Sequence, residues 1–110
     1  MKVENTQAQM RKGILEYCVL SILSEQERYP SEIIVQLKEA ELIVVEGTLY
    51  PLLTRLKNSE LLDYRWVESN EGPPRKYYSL TTKGITFLKA LKETWMVLKS
   101  AVKQLENEKL

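Results

Sequence analysis

Apolar residues recur along this chain with a helical period in four places and with a strand period in one. From residue 7 to 24, Ile14, Leu15, Cys18, Val19, Ile22 and Leu23 follow three- and four-residue spacing, which predicts a mostly buried first helix. Asn5 or Thr6 is placed to cap its N-terminus. A polar break from Glu25 to Arg28 precedes a second helix from Pro30 to Glu41, with Ile33, Ile34, Leu37 and Ala40 inward. Proline suits the first helical position, where its missing N–H costs nothing. After a short β-prone connector, Leu42 to Val45, a third helix is predicted from Glu46 to Ser59. Leu49, Leu52, Leu53 and Leu56 form its buried stripe, and Pro51 inside it should cost one backbone bond and a local distortion.

The period then changes. Leu61 to Glu68, with Tyr64, Trp66 and Val67, reads as a strand; Ser69 to Pro74 is a turn-rich tip; Arg75 to Leu80 is the return strand. Alternation puts Lys76, Tyr78 and Leu80 on one side of it and Arg75, Tyr77 and Ser79 on the other. Thr81 is an N-cap candidate for a long last helix reaching Glu106, and Asn107 to Leu110 should fray. Leu88, Leu91, Trp95, Leu98, Val102 and Leu105 are spaced 3, 4, 3, 4 and 3 apart, a heptad-like seam. So small a domain has no core left to cover it, so a second copy of the chain is the expected cover. The fold class is therefore mainly α with a small β-hairpin: a winged helix-turn-helix at residues 1–80 and a C-terminal dimerisation helix at 81–110, forming one compact unit.

The third helix has two unlike faces. Opposite its leucines lie Thr48, Tyr50, Pro51, Thr54 and Arg55, carrying hydroxyls, a ring and a cation. A helix of this kind followed by a hairpin with Arg75 and Lys76 is the layout of a DNA reader. Threonine hydroxyls and methyls can touch base edges, while the hairpin cations suit phosphates. Lys12, with Arg11, is a further phosphate candidate. The bland alternatives are a solvated cation pair on the hairpin, Tyr50 tucked against it, and Arg55 paired with an acidic neighbour. Net charge changes the picture: at +1 for 110 residues it gives no general attraction to phosphate. The charge is uneven, however, with six lysines against three glutamates from Lys83 onward. DNA binding would need a dimer to combine two such sets.

Composition, 44% apolar and 28% charged, is that of a globular protein without a membrane span or secretory signal. One cysteine excludes an intrachain disulfide, and a cytoplasmic location fits. Cys18 reads as a small buried hydrophobe. With no histidine and no glycine-rich phosphate loop, enzymatic activity, a metal site and a cofactor are all unsupported.

Two motifs, Thr48-Leu-Tyr-Pro-Leu-Leu53 with Arg55 and Leu56, and Gly72-Pro-Pro-Arg-Lys-Tyr-Tyr78 running into Leu80-Thr-Thr-Lys-Gly84, stand at a specific separation. With them the chain from Gln9 to Leu105 resembles the PadR family of transcriptional regulators, in its compact subgroup with a single C-terminal helix. The resemblance implies a winged-helix homodimer that binds double-stranded promoter DNA, usually as a repressor. In some compact members a planar aromatic compound enters the dimer interface and releases DNA, with a tryptophan of the last helix stacked on it. Trp95 holds the similar place, with Met96, Val97, Leu15 and Val19 as further candidates for a pocket wall; the plainer role for Trp95 is interface core. Glu60 departs from the glycine that often ends the third helix in relatives, which predicts a shifted or strained exit into the hairpin. Pro30 replaces another family glycine. The rival reading is a winged-helix dimer that binds a protein partner without DNA readout; salt-dependent binding to promoter fragments separates the two.

Overall fold

The computed structural model describes residues 1–106. The order is α1 (Val3–Glu25), α2 (Pro30–Glu39), α3 (Glu46–Asn58), β1 (Leu62–Ser69), β2 (Gly72–Leu80) and α4 (Thr82–Glu106). The expected fraying at Asn107 to Leu110 lies outside the described residues.

One core joins the first three helices to the base of the hairpin. It is built from Leu15, Val19, Leu20 and Leu23 of α1, Ile33 and Leu37 of α2, the α3 leucines, and Leu61, Leu62 and Tyr78. All four leucines of the α3 stripe are at most 5% exposed, so the periodicity identified that face correctly. Along α1 the buried stripe is narrower than expected: Ile14, Cys18 and Ile22 are only half-buried, while Leu20 is sealed. Burial pushes the Cys18 thiol pKa up, which disfavours thiolate and fits a packing role.

Several boundaries move. Helix α1 starts at Val3, so Asn5 and Thr6 lie inside it and do not cap it. Helix α2 stops at Glu39 and leaves Ala40 exposed. Helix α3 runs unbroken through Pro51; the carbonyl four residues back belongs to exposed Gly47, where water can replace the lost partner. The hairpin is longer than expected, because Gly72 to Pro74 belong to β2. Its register pairs Val67 with Arg75 and Ser69 with Gly72, so one extra residue on β2 bulges at Pro73–Pro74. A bulge accommodates prolines, which cannot donate to the ladder.

Helices α2 and α3 end alike. In α3 the Leu61 N–H donates to the Leu56 carbonyl at 3.0 Å and the Glu60 N–H to the Lys57 carbonyl at 2.9 Å. In α2 the Leu42 and Glu41 N–H groups repeat the pattern to Leu37 and Lys38. These are Schellman caps, and both put a glutamate at φ 65°. The exit at Glu60 is therefore strained but not shifted. Glu60→Gly should raise stability by about 0.5–1 kcal/mol, since a left-handed non-glycine residue costs more than the added chain entropy of glycine. The Lys83–Glu60 ion pair lost with it is 4.0 Å long and exposed, hence worth little. A thermal melt that shows no gain would refute this account of the cap.

The α1–α2 loop is fastened to the hairpin. Arg28 and Tyr78 exchange backbone hydrogen bonds at 3.1 and 2.9 Å, and the Arg65 Nε donates to both Glu27 carboxylate oxygens at 3.2 and 3.0 Å. The Arg65 hydrogen bonds hold the Glu27 carboxyl below its ordinary pKa. Helix α4 is attached at its start: the Thr81 hydroxyl donates to the Glu60 carbonyl at 2.6 Å and accepts from the Gly84 N–H at 2.9 Å. Thr81 is thus the expected N-cap. Leu88 and Leu91 then pack on the core. Further along, Leu98 and Val102 are 52% and 53% exposed, so among the described residues this part of the seam is not covered. No described helix is long and apolar enough to cross a membrane.

Candidate nucleic-acid interface

The outward face of α3 stands as its periodicity requires: Thr48, Tyr50, Pro51, Thr54 and Arg55 are all exposed. The hairpin runs alongside it. On one hairpin face the register sets Trp66 opposite Lys76 and Tyr64 opposite Tyr78. The rings form a ladder from core to surface: Tyr78 is buried, Tyr64 is 5.7 Å from it, and Trp66 is 6.3 Å from Tyr64 and edge-on to it. Burial, then the neighbouring Tyr64 and Tyr50, push the Tyr78 hydroxyl pKa up, so it stays neutral.

The cations rest on rings. The Lys76 ammonium lies 4.3 Å from the Tyr64 centroid and 5.1 Å from that of Trp66, and Lys57 lies 5.7 Å from Tyr64 on the α3 side. On the other hairpin face the Arg75 guanidinium lies 4.3 Å from the ring of Tyr29, which meets Tyr77 edge-on at 5.2 Å. Cation–π contacts of this kind fix long side chains without neutralising them.

A groove of about 390 Å³ separates α3 from the hairpin and brings Tyr50 and Thr54 together with Trp66, Arg75 and Lys76. None of its lining residues is acidic. On the far side of α3, Lys12 shares a recess of about 310 Å³ with Thr48, Pro51 and Arg55. Arg55 is paired there with Glu16 at 3.6 Å, the acidic partner anticipated as its alternative. Every candidate contact thus falls on one continuous surface, with α3 in the middle, Lys12 on one flank and the hairpin cations on the other. Arg11, the weaker candidate, lies in the next recess, beside Ala8 and Val45.

Trp66, Tyr29 and Ser31 are among the members of this surface that were not anticipated. Trp66 is 62% exposed, although its residue type suggested only a strand. Tyr29 and Ser31, at the start of α2, complete the groove. The hairpin register would have found Trp66, since it faces Lys76. Nothing local marks Tyr29 or Ser31, because the α2 start and the hairpin are remote in sequence.

The second candidate site reads differently. Trp95 is 37% exposed, and its ring lies 6.5 Å from that of Tyr17, tilted by 37°. Leu15 and Val19, expected beside it, lie in the core at 7% and 0% exposure. The α1 residue that meets Trp95 is Tyr17. Met96 and Val97 are exposed. Among the described residues, no group of histidine, cysteine, aspartate and glutamate side chains could hold a metal ion.

Comparison with known proteins identifies the family. The model of the transcriptional regulator PadR-like family matches residues 19–90. A PadR-like transcription factor from Bacteroides fragilis is 59% identical, with 92% of this chain and 98% of that one covered and a TM-score of 0.77. A PadR family regulator from Eggerthella lenta is 32% identical over 96% of this chain and 93% of that one, with a TM-score of 0.85. Bacillus subtilis PadR, solved in complex with operator DNA, is 23% identical over 71% of this chain and 46% of that one; with a TM-score of 0.66 it shares the fold. With the family model spanning both the α3 leucine stripe and the hairpin, this chain belongs to the PadR-like family of transcriptional regulators.

Proposed function

We propose that this protein is a sequence-specific DNA-binding repressor that works as a homodimer in the cytoplasm. The observation that carries the reading is the acid-free groove where the exposed α3 side chains Tyr50 and Thr54 meet Arg75 and Lys76. A strand of DNA supplies what that groove lacks, negative charge, and the helix beside it is free to enter a major groove. The shared fold with a PadR protein solved on operator DNA supports the same use. It is also what favours DNA over a protein partner, since family membership and groove chemistry point the same way.

Two copies would pack through the α4 seam from Leu88 to Leu105. Each would present α3 to successive major grooves roughly 10 base pairs apart on a pseudo-palindromic site. Thr48, Tyr50, Pro51 and Thr54 would contact bases or their sugars, and Arg75, Lys76 and Lys12 phosphates. Arg55 would first have to leave Glu16, an exposed pair that costs little to break. Tyr50→Ala with Thr54→Ala is expected to weaken binding to the chain's own upstream DNA roughly 10- to 100-fold, with the dimer intact by sedimentation. An unchanged gel shift would remove α3 from the interface, and a monomer in sedimentation would remove the seam.

A ligand that releases DNA is the second part of the reading, favoured by the half-exposed Trp95 beside Tyr17. A planar aromatic compound would stack between these rings and their copies across the dimer, with Met96 adapting to its shape. It would change the distance between the two α3 helices only by binding one dimer arrangement more tightly than another. Trp95 emission should be quenched by planar aromatic dyes, and the same dyes should lower DNA affinity. Quenching without any loss of affinity would leave a binding site with no regulatory role.

A further inference from the structure

Trp66 is the outlier of the groove. Tryptophan is among the more deeply buried residue types on average, yet this one is 62% exposed in the middle of a well-paired strand. Its two ladder neighbours are already satisfied, Tyr64 by contact with Tyr78 and Tyr78 by the core. Only the end of the ladder projects, and it projects into the groove that α3 and the hairpin cations share.

The surroundings define what the indole can receive. Lys76, directly across the strands, sits on the ring at 5.1 Å, and Arg75 follows on Tyr29. No acidic residue lines the groove, so the cations are not neutralised there. The groove therefore pairs an apolar, flat surface with two fixed positive charges. A nucleic-acid strand has the matching alternation, an apolar sugar face between phosphates.

We propose that Trp66 is a DNA-contact residue, its indole against the deoxyribose face of one strand while Arg75 and Lys76 take the phosphates on either side of that sugar. This rests on the DNA-binding reading above. The contact makes the hairpin more than a source of charge: it sets how deeply the strand seats, and hence the angle at which α3 enters the groove. It also carries a part of the affinity that salt does not screen, because an apolar contact releases no counterions.

The test follows labelled upstream DNA and intrinsic fluorescence together, in the unmodified chain and in Trp66→Phe. In the unmodified chain, emission should be quenched along the same saturation curve as DNA anisotropy, and acrylamide should reach the indole less well. In Trp66→Phe the anisotropy still saturates, but most of the quench is gone. Trp66→Ala should weaken binding roughly tenfold, with the slope of log affinity against log salt unchanged and the melting temperature little altered. Anisotropy that saturates with no quench, or an equal quench in Trp66→Phe, overturns the contact while leaving DNA binding in place. Acrylamide protection that follows protein concentration instead of DNA assigns the indole to a second copy and overturns it too. No anisotropy change at all overturns both the contact and the reading on which it rests.

Discussion

Gly84→Ala is expected to destabilise the protein by about 3 kcal/mol, the upper end of what overpacking costs. A glycine-to-alanine change inside a helix ordinarily stabilises by roughly 1 kcal/mol. Here the sign reverses because of one contact. A Cβ at Gly84 would overlap the Leu61 carbonyl oxygen and stand 3.1 Å from its carbon. The obstacle is backbone, and it is held from several sides. The Leu61 carbonyl accepts from the Thr81 N–H at 3.1 Å, and the Leu61 N–H is committed to the α3 cap. Thr81 itself bridges Glu60 and Gly84 through its hydroxyl. Relief would require α4 to lift away from the α3 exit, taking Leu88 and Leu91 off the core. In a thermal melt at fixed protein concentration the loss should appear as a fall of roughly 10–20 °C. A variant that melts with the unmodified protein would mean that α4 does not press on Leu61 as described. Glu60→Gly acts a few ångströms away and in the opposite direction, so the two variants together test the same joint from both sides.

Arg75→Ala with Lys76→Ala is expected to change the salt dependence of DNA binding more than any pair on α3. Each phosphate neutralised on duplex DNA contributes about 0.9 to the slope of log affinity against log salt. Loss of both cations should therefore flatten the slope by about 1.8 for each bound chain. At roughly 0.1 M salt the affinity should drop on the order of 100-fold for each bound chain. The prediction is sharp because the two cations are positioned in advance. Arg75 lies on Tyr29 and Lys76 on Tyr64 and Trp66, so little side-chain entropy remains to be lost on binding. Tyr50→Ala with Thr54→Ala should do the reverse, lowering affinity with the slope nearly intact. Fluorescence anisotropy across a salt series separates the two. An unchanged slope in the hairpin variant would remove the hairpin from the DNA. Binding that ignores salt altogether would favour a protein partner.

The net charge of +1 would have argued against such a strong salt effect. The total hides a local imbalance. Glu27 is held by Arg65 and Glu16 by Arg55, outside the groove between α3 and the hairpin. The lining of that groove holds Arg75 and Lys76 and no acidic residue, a local balance that no sum over the chain records.

What the sequence determined by itself is the set of faces. The stripe Leu49, Leu52, Leu53 and Leu56 was legible because burial acts on every turn of a helix and so leaves a period. The same is true of the alternation on β2 and of the cap at Thr81, each of which depends on residues close together in the chain. The Thr48–Leu56 and Gly72–Gly84 motifs carried the family as well. What only the tertiary structure decided is which faces meet. Arg55 finds Glu16, Trp95 finds Tyr17 where Leu15 and Val19 were expected, and Tyr29 and Ser31 close a groove whose other wall is more than 30 residues away. Gly84 reads as an ordinary helix glycine until the Leu61 carbonyl is placed against it. A period reports that a face is covered, because covering is an average over neighbours. Which residue does the covering depends on how helices cross and strands register, and those angles are set by the packing of the whole chain at once.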